Sequence, residues 1–250
     1  MDTDQRKIQW QGEVVSVQPR STVWRYLTDN RTHRENGYNV FFNGRALDED
    51  HEVEFKRGKG KYDFCVAISE KQAGKIRPHI GDEIKGTGWT PKYPECEFAD
   101  LYRAGSLKKV KPAEENVIVP EIIAKEDDTT YYAAQIIRVD SSSYPGPPWR
   151  IEAPSLEVYA WRGERMLSKS AWKGKCFECI WANMANVTIQ YDFDKNLVRN
   201  RFETFCYGPL SCRYYKMGPA RAVPYKGISG VKDQGWLDEI CVEYRADSDE

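Results

Sequence analysis

Along residues 8–112 apolar and polar side chains repeatedly alternate, as in Trp10-Gln-Gly-Glu-Val-Val-Ser-Val17. Successive side chains of a strand point to opposite faces, so a period of two suits a sheet with one covered face and does not suit a helix. Thr22-Val-Trp-Arg-Tyr-Leu27 continues the pattern after Gln18-Pro-Arg-Ser, and Tyr38-Asn-Val-Phe-Phe-Asn43 renews it. A charged, hairpin-like region follows from Asp48 to Lys61, with Gly58 and Gly60 as turn formers. Tyr62-Asp-Phe-Cys-Val-Ala-Ile68 reads as a buried strand. Ser69-Glu-Lys-Gln-Ala-Gly-Lys-Ile76 carries a capping serine and helix formers, which predicts one or two helical turns. Gly81–Trp89 and Leu101–Val110 supply two further strands.

Three strands, a short helix and two strands form an order that resembles the OB-fold, a small five-stranded Greek-key barrel. Cys65-Val-Ala-Ile68, the helix, and Ile80-Gly-Asp-Glu-Ile-Lys-Gly-Thr-Gly88 carry the resemblance, which covers residues 8–112. Glycines suit the sharp bends of a tight barrel. The resemblance implies an OB-like amino-terminal barrel with one face on which bases stack and phosphates pair. Trp24, Arg25, Tyr26, Tyr38, Phe42, Arg45, Lys61, Tyr62, Trp89 and Lys92 are the candidate contacts, although several of them must serve the core instead.

Beyond this region, residues 113–130 read as an acidic linker around Val117-Ile-Val-Pro-Glu-Ile-Ile123, and residues 131–240 as a second, β-rich module. A strand is expected at Tyr131–Val139, and a loop at Ser141–Pro148, where three prolines and a glycine exclude regular structure. Leu156-Glu-Val-Tyr-Ala-Trp161 alternates again and predicts another strand. Asn186–Phe193 and Val198–Phe205, separated by Asp194-Lys-Asn196, predict a hairpin. Residues 241–250 form an acidic tail.

That hairpin separates two pairs of thiols, Cys176-Phe-Glu-Cys179 and Cys206-Tyr-Gly-Pro-Leu-Ser-Cys212. Returning the chain beside its starting point would let one ion collect all four sulfurs. A Cys-x-x-Cys turn aims two sulfurs at one centre and offers backbone amides to the thiolates. The second pair, with five residues between its thiols, departs from zinc-ribbon spacing. A turn at Tyr207-Gly-Pro209 would fold those residues back. Zinc held by Cys176, Cys179, Cys206 and Cys212 is the first expectation, in a zinc-ribbon-like module. A 4Fe–4S iron–sulfur cluster in the aromatic setting of Phe177, Trp181, Phe205, Tyr207 and Tyr214 is the alternative. A redox dithiol at Cys176 and Cys179, or no shared site, stays open. Cys65, Cys96 and Cys241 are expected as small buried apolar residues.

The sequence has no apolar run near the length of a membrane helix and opens on the polar Met-Asp-Thr-Asp-Gln-Arg. The expectation is therefore a soluble, cytoplasmic protein with no membrane partner. In a reducing compartment paired cysteines more often bind metal or do redox work than form disulfides.

Net charge is close to neutral but unevenly placed. Residues 150–232 carry 14 basic and 7 acidic side chains, and residues 233–250 carry 1 and 7. Such asymmetry points to an anionic partner for the basic block. Within it Arg199, Arg201, Arg213, Lys216, Arg221 and Lys226 are interleaved with Tyr214, Tyr215 and Tyr225, a mixture that combines charge pairing with stacking.

Catalysis has less support. His33, His51 and His79 sit at no ligand spacing, the adjacent acids Asp82-Glu83 and Asp238-Glu239 point apart, and no phosphate-binding or nucleophile motif is present. The expected function is binding of single-stranded or structured nucleic acid, with the metal mainly structural. The rivals are an iron–sulfur redox or nucleic-acid-processing enzyme, and a protein-interaction component of a larger assembly.

Overall fold

A computed structural model describes residues 5–26, 31–49, 51–55, 60–94, 96–113, 153–192, 197–208, 212 and 214–218. The expected linker, the strand at 131–139, the proline-rich loop and the acidic tail lie outside these residues. Among the described residues strand dominates at 52% against 15% helix, so the fold is mainly β, built on a mixed sheet that is not closed.

Strands β1 (Lys7–Tyr26) and β2 (Arg31–Asp48) form a long antiparallel pair, with register shifts between Val14 and Ser16 and between Arg20 and Ser21. The sequence predicted a break at Gln18-Pro-Arg-Ser, yet β1 runs through it. The reason is local: β5 (Glu83–Trp89) pairs only with Lys7–Glu13, and β8 (Ala182–Asp192) only with Thr22–Tyr26. Pro19 thus falls where β1 has one partner strand, and its missing N–H interrupts no second ladder.

The two-residue β3 (His51–Glu52) and β4 (Phe64–Ile68) pair with β2, and β6 (Tyr102–Lys111) pairs with β5. The row therefore runs β4-β2-β1-β5-β6. Its two ends meet at one parallel bridge, Val66 to Leu101, where Ala67 N–H donates to the Leu101 carbonyl at 2.8 Å. Between β4 and β5 lies helix α1 (Glu70–Ile76), started as predicted by Ser69, whose hydroxyl and Gln72 complete a capping box. The Gly81-Asp82 turn is pinned by buried Asp82, which accepts from the His79 and Ala113 amides and from Lys109 Nζ at 2.6 Å.

Leu156-Glu-Val-Tyr-Ala-Trp161 is not a strand. It lies in helix α2 (Leu156–Arg162), opened by Ser155 and closed at Gly163 with φ +68°. Val158 and Tyr159 are buried while Ala160 is exposed, which follows a helical and not an alternating period. The short β7 (Arg165–Met166), helix α3 (Lys169–Lys173) and a 3-10 turn (Lys175–Glu178) lead into β8. As predicted, β8 and β9 (Leu197–Cys206) form an antiparallel hairpin. β8 also joins β1 in parallel, so one sheet spans both halves of the chain.

Adjacent residues on β2 show how the core divides. Phe42 points to one side, 4.8 Å from the Trp10 ring and stacked on Phe64 at 5.3 Å. Phe41 points to the other, against Tyr62 at 4.8 Å, Phe177 at 5.1 Å, Phe98 and Trp172. The first core lies within the β4-β2-β1-β5-β6 row. The second is shared with the carboxy-terminal half, and both belong to one continuous apolar cluster. No helix among the described residues is long and apolar enough to cross a membrane.

Candidate metal centre and polar groove

The hairpin places Cys206 at the end of β9, paired with Ala182 on β8 and with Arg165 on β7. Ala182 N–H in turn donates to the Cys179 carbonyl at 3.1 Å, so the second thiol pair starts beside the first. Cys176 lies within the 3-10 turn and Cys179 caps its end, with Cys179 N–H donating to the Cys176 carbonyl at 3.0 Å. Cys176, Cys179 and Cys206 are buried and Cys212 is half-buried. Among the described residues all six cysteines are free, which leaves no disulfide at this site.

Backbone amides already serve the sulfurs. Trp181 N–H points at Cys179 Sγ (3.4 Å) and Gly208 N–H at Cys206 Sγ (3.3 Å). A Cβ on Gly208 would stand 3.3 Å from Cys206 Sγ and 3.2 Å from Trp181 Cβ, so the absence of a side chain lets this amide approach its sulfur. The amides of Tyr214 and Tyr215 act on Cys212 in the same sense. Such donors favour a thiolate over a thiol.

Burial works in the opposite direction. It pushes the Cys176 thiol from 9.0 up to about 12, with added repulsion from Cys206 and Cys212 and opposition from Arg165. Burial also raises Cys179 well above its ordinary value; Cys206, Cys176 and Cys212 add to the rise, and the Trp181 amide opposes it. Cys212 is raised by burial as well, against the pull of the Tyr214 amide and Arg165. All four sulfurs thus lie within one another's electrostatic reach.

Among the described residues, no three His, Cys, Asp or Glu side chains are arranged as a ready ligand set. The two findings concern different distances, because charge coupling extends well beyond the roughly 2.3 Å at which each sulfur would hold zinc. The thiols are gathered without being drawn onto one point. Their chemistry fits a tetrathiolate ion: four soft donors, amides directed at the sulfurs, and a buried cation nearby. That cation is Arg165, 3% exposed, with its guanidinium 3.5 Å from the Tyr215 ring centre.

The residues expected to meet nucleic acid fare differently. Tyr38 is buried and donates its hydroxyl to the Pro154 carbonyl at 2.6 Å. Phe42 is in the core, and Tyr62 is stacked on Phe177 at 5.5 Å with the rings 11° apart. For these three the ligand-contact expectation is corrected: the chain itself occupies the aromatic surface. Lys61 is exposed, and its ammonium donates to the Lys173 and Gly174 carbonyls. Trp89 is half-buried at the end of β5, while Lys92 is exposed over the Tyr93 ring at 5.4 Å. Tyr214 is half-buried and Lys216 exposed beside the thiols. Trp24, Arg25 and Tyr26 are placed on β1, and Arg199 and Arg201 on β9, by backbone pairing. Arg213, Arg221, Tyr225 and Lys226 lie outside the described residues.

Arg45 opens onto a groove of about 770 Å³ across the outer side of β1, β2 and β5. Sequence reasoning missed most of its lining, including Lys85, Lys111, Gln9, Gln11 and Thr87. The alternation contained the signal, because Gln9, Gln11 and Glu13 are the outward partners of buried Ile8, Trp10 and Val14. The cations of the groove outnumber its carboxylates, Glu13 and Glu83, and Glu83 accepts from Gln11 Nε2 at 2.5 Å. Compared with known protein families, curated proteins and solved structures, the chain matches none.

Proposed function

We propose that the chain is a nucleic-acid-binding protein of the cell interior, built on an OB-type barrel and braced by a structural zinc ion on Cys176, Cys179, Cys206 and Cys212. The strand order β4-β2-β1-β5-β6, with its ends touching at Val66 and Leu101, supports the barrel. Four free thiols whose charges would repel one another, with backbone amides donating to Cys179 and Cys206, support a single ion. The ion would tie the hairpin end at Cys206 to the turn at Cys176 and Cys179, adding to the apolar packing of Phe177, Trp181 and Tyr207.

The observation that carries the binding assignment is the groove. Arg45, Lys85 and Lys111 surround side-chain amides and hydroxyls on a surface without exposed aromatic rings. Such a surface suits a sugar-phosphate backbone, with affinity dominated by charge. Titration of the zinc-loaded chain with labelled single-stranded oligonucleotides over a range of salt tests it. Affinity is expected to fall steeply with salt, and Arg45→Ala, Lys85→Ala and Lys111→Ala each to flatten the log–log slope by about 0.7. Failure to bind at low salt, or salt-independent binding, defeats the assignment. Metal analysis tests the ion separately, with a single zinc per chain expected and its loss on Cys206→Ser.

A further inference from the structure

We propose that the ion on the four thiols acts as a clamp: it holds the carboxy-terminal half onto the β1–β2–β4 face through Phe177, and its loss frees the aromatic surface of Phe41 and Tyr62. The proposal rests on the tetrathiolate reading above and adds to it a coupling between the ion and a distant face of the sheet.

Phe177 lies between the two cysteines of the first pair, and the amino-terminal half holds it as a receptor holds a ligand. Its ring stacks on Tyr62, meets the edge of Phe41, and has Lys61 Nζ 5.3 Å from its centre. Its carbonyl accepts from Ser16 Oγ at 2.6 Å and from Gln18 Nε2 at 2.7 Å, both from β1 and both fully buried. Gln18 Oε1 accepts from Trp172 Nε1 at 3.2 Å, which fixes the amide so that its NH2 faces Phe177.

The second thiol pair is tied to the same half. Tyr207, between Cys206 and Gly208, is fully buried and reaches Glu35 of β2 at 3.3 Å. Each pair therefore carries one aromatic residue anchored in the amino-terminal strands, and an ion shared by the pairs would lock both anchors together.

Without an ion, little local structure holds Phe177 in place. The 3-10 turn is four residues long and has no side-chain cap at its start. So short a turn has almost no stability of its own. Coordination of Cys176 and Cys179 would fix the backbone on both sides of Phe177, and the binding free energy of the ion would become docking free energy. Linkage makes the coupling reciprocal: a docked Phe177 must tighten ion binding by the factor by which the ion tightens docking.

Oxidative footprinting of the full chain, zinc-loaded and chelator-stripped, tests the clamp, with Trp10 of the first core as internal reference. Stripping zinc should raise modification of Tyr62 and Trp172 about tenfold and leave Trp10 unchanged. Zinc-loaded Phe177→Ala should keep one zinc, show the same rise at Tyr62, and bind zinc about tenfold more weakly. Should that variant fail to fold, Gln18→Leu, which removes one donor to the Phe177 carbonyl, should raise Tyr62 modification in the same direction. A silent Tyr62 in stripped protein, an equal rise at Trp10, or a protected Tyr62 in zinc-loaded Phe177→Ala overturns the clamp while the zinc site stands. If the wild-type chain takes up no zinc, the tetrathiolate reading fails and the clamp fails with it.

Discussion

Gly44 and Gly74 respond to an added methyl group in opposite ways. Gly44 faces Gly12 across β1 and β2, and a Cβ there would stand 2.2 Å from the Gln11 carbonyl oxygen and 2.4 Å from the Gly12 Cα. Backbone on both sides cannot yield as a flexible side chain would, so Gly44→Ala should cost about 3 kcal/mol of unfolding free energy. Gly74 lies inside α1 with nothing within 4 Å of its would-be Cβ, and Gly74→Ala should stabilise by about 0.5–1 kcal/mol. Urea melts of the two variants beside wild type give the comparison, and like signs would refute it. The thiols add a dependence on pH. Burial lifts Cys176 from 9.0 to about 12, so below pH 9 its neutral form contributes fully to stability. Between pH 9 and 12 the unfolded chain ionises this thiol while the folded chain does not, and stability must fall as pH rises. Metal-free protein should therefore lose denaturation free energy across that window. Zinc-loaded protein, whose thiolates are already ionised, should lack this loss, and matching pH profiles for the two forms would contradict the assignment.

At the scale of elements, the amino-terminal half was legible because each strand has one face on the first core. The alternation through Ile8, Trp10 and Val14 and the capping box at Ser69 are local signals that packing reinforces. Val14-Val-Ser-Val-Gln-Pro19 was harder to read: it carries no charged residue because both of its faces are covered, one by the first core and one by Phe177 and Trp172. An uncharged strand covered on both faces reads like any buried run, and only the carboxy-terminal half shows what its polar residues contact. Leu156–Arg162 misled for a related reason, since a seven-residue element is too short for its period to separate strand from helix. Ser155 before it and Gly163 after it were the better indicators. The return of Cys206 towards the first thiol pair was foreseeable, because two alternating runs around a short turn pair antiparallel and bring their outer ends together. The charge of Arg165 was not, since a single arginine in a two-residue strand has no pattern around it.

For the molecule as a whole, the decisive relation is between residues 8–112, expected from sequence to form a domain, and the half that covers them. Phe41, Tyr62 and Phe98 are buried jointly with Trp172 and Phe177, Tyr38 gives its hydroxyl to Pro154, and β1 finds its parallel neighbour in β8. Removing everything after residue 113 would expose three aromatic rings on one face and leave the Thr22–Tyr26 end of β1 without its β8 ladder. Uncovering a large apolar side chain costs about 1.5–3 kcal/mol, so this loss alone is comparable with the whole stability of a small domain. An exposed aromatic face beside an unpaired strand edge also invites self-association. A fragment of residues 1–113 is therefore expected to bind a hydrophobic dye and to sediment as oligomers, whereas the zinc-loaded full chain does neither. A dye-silent, monomeric fragment that melts as cooperatively as the full chain would show that the first core suffices, and that the carboxy-terminal half rests on a finished unit without completing it.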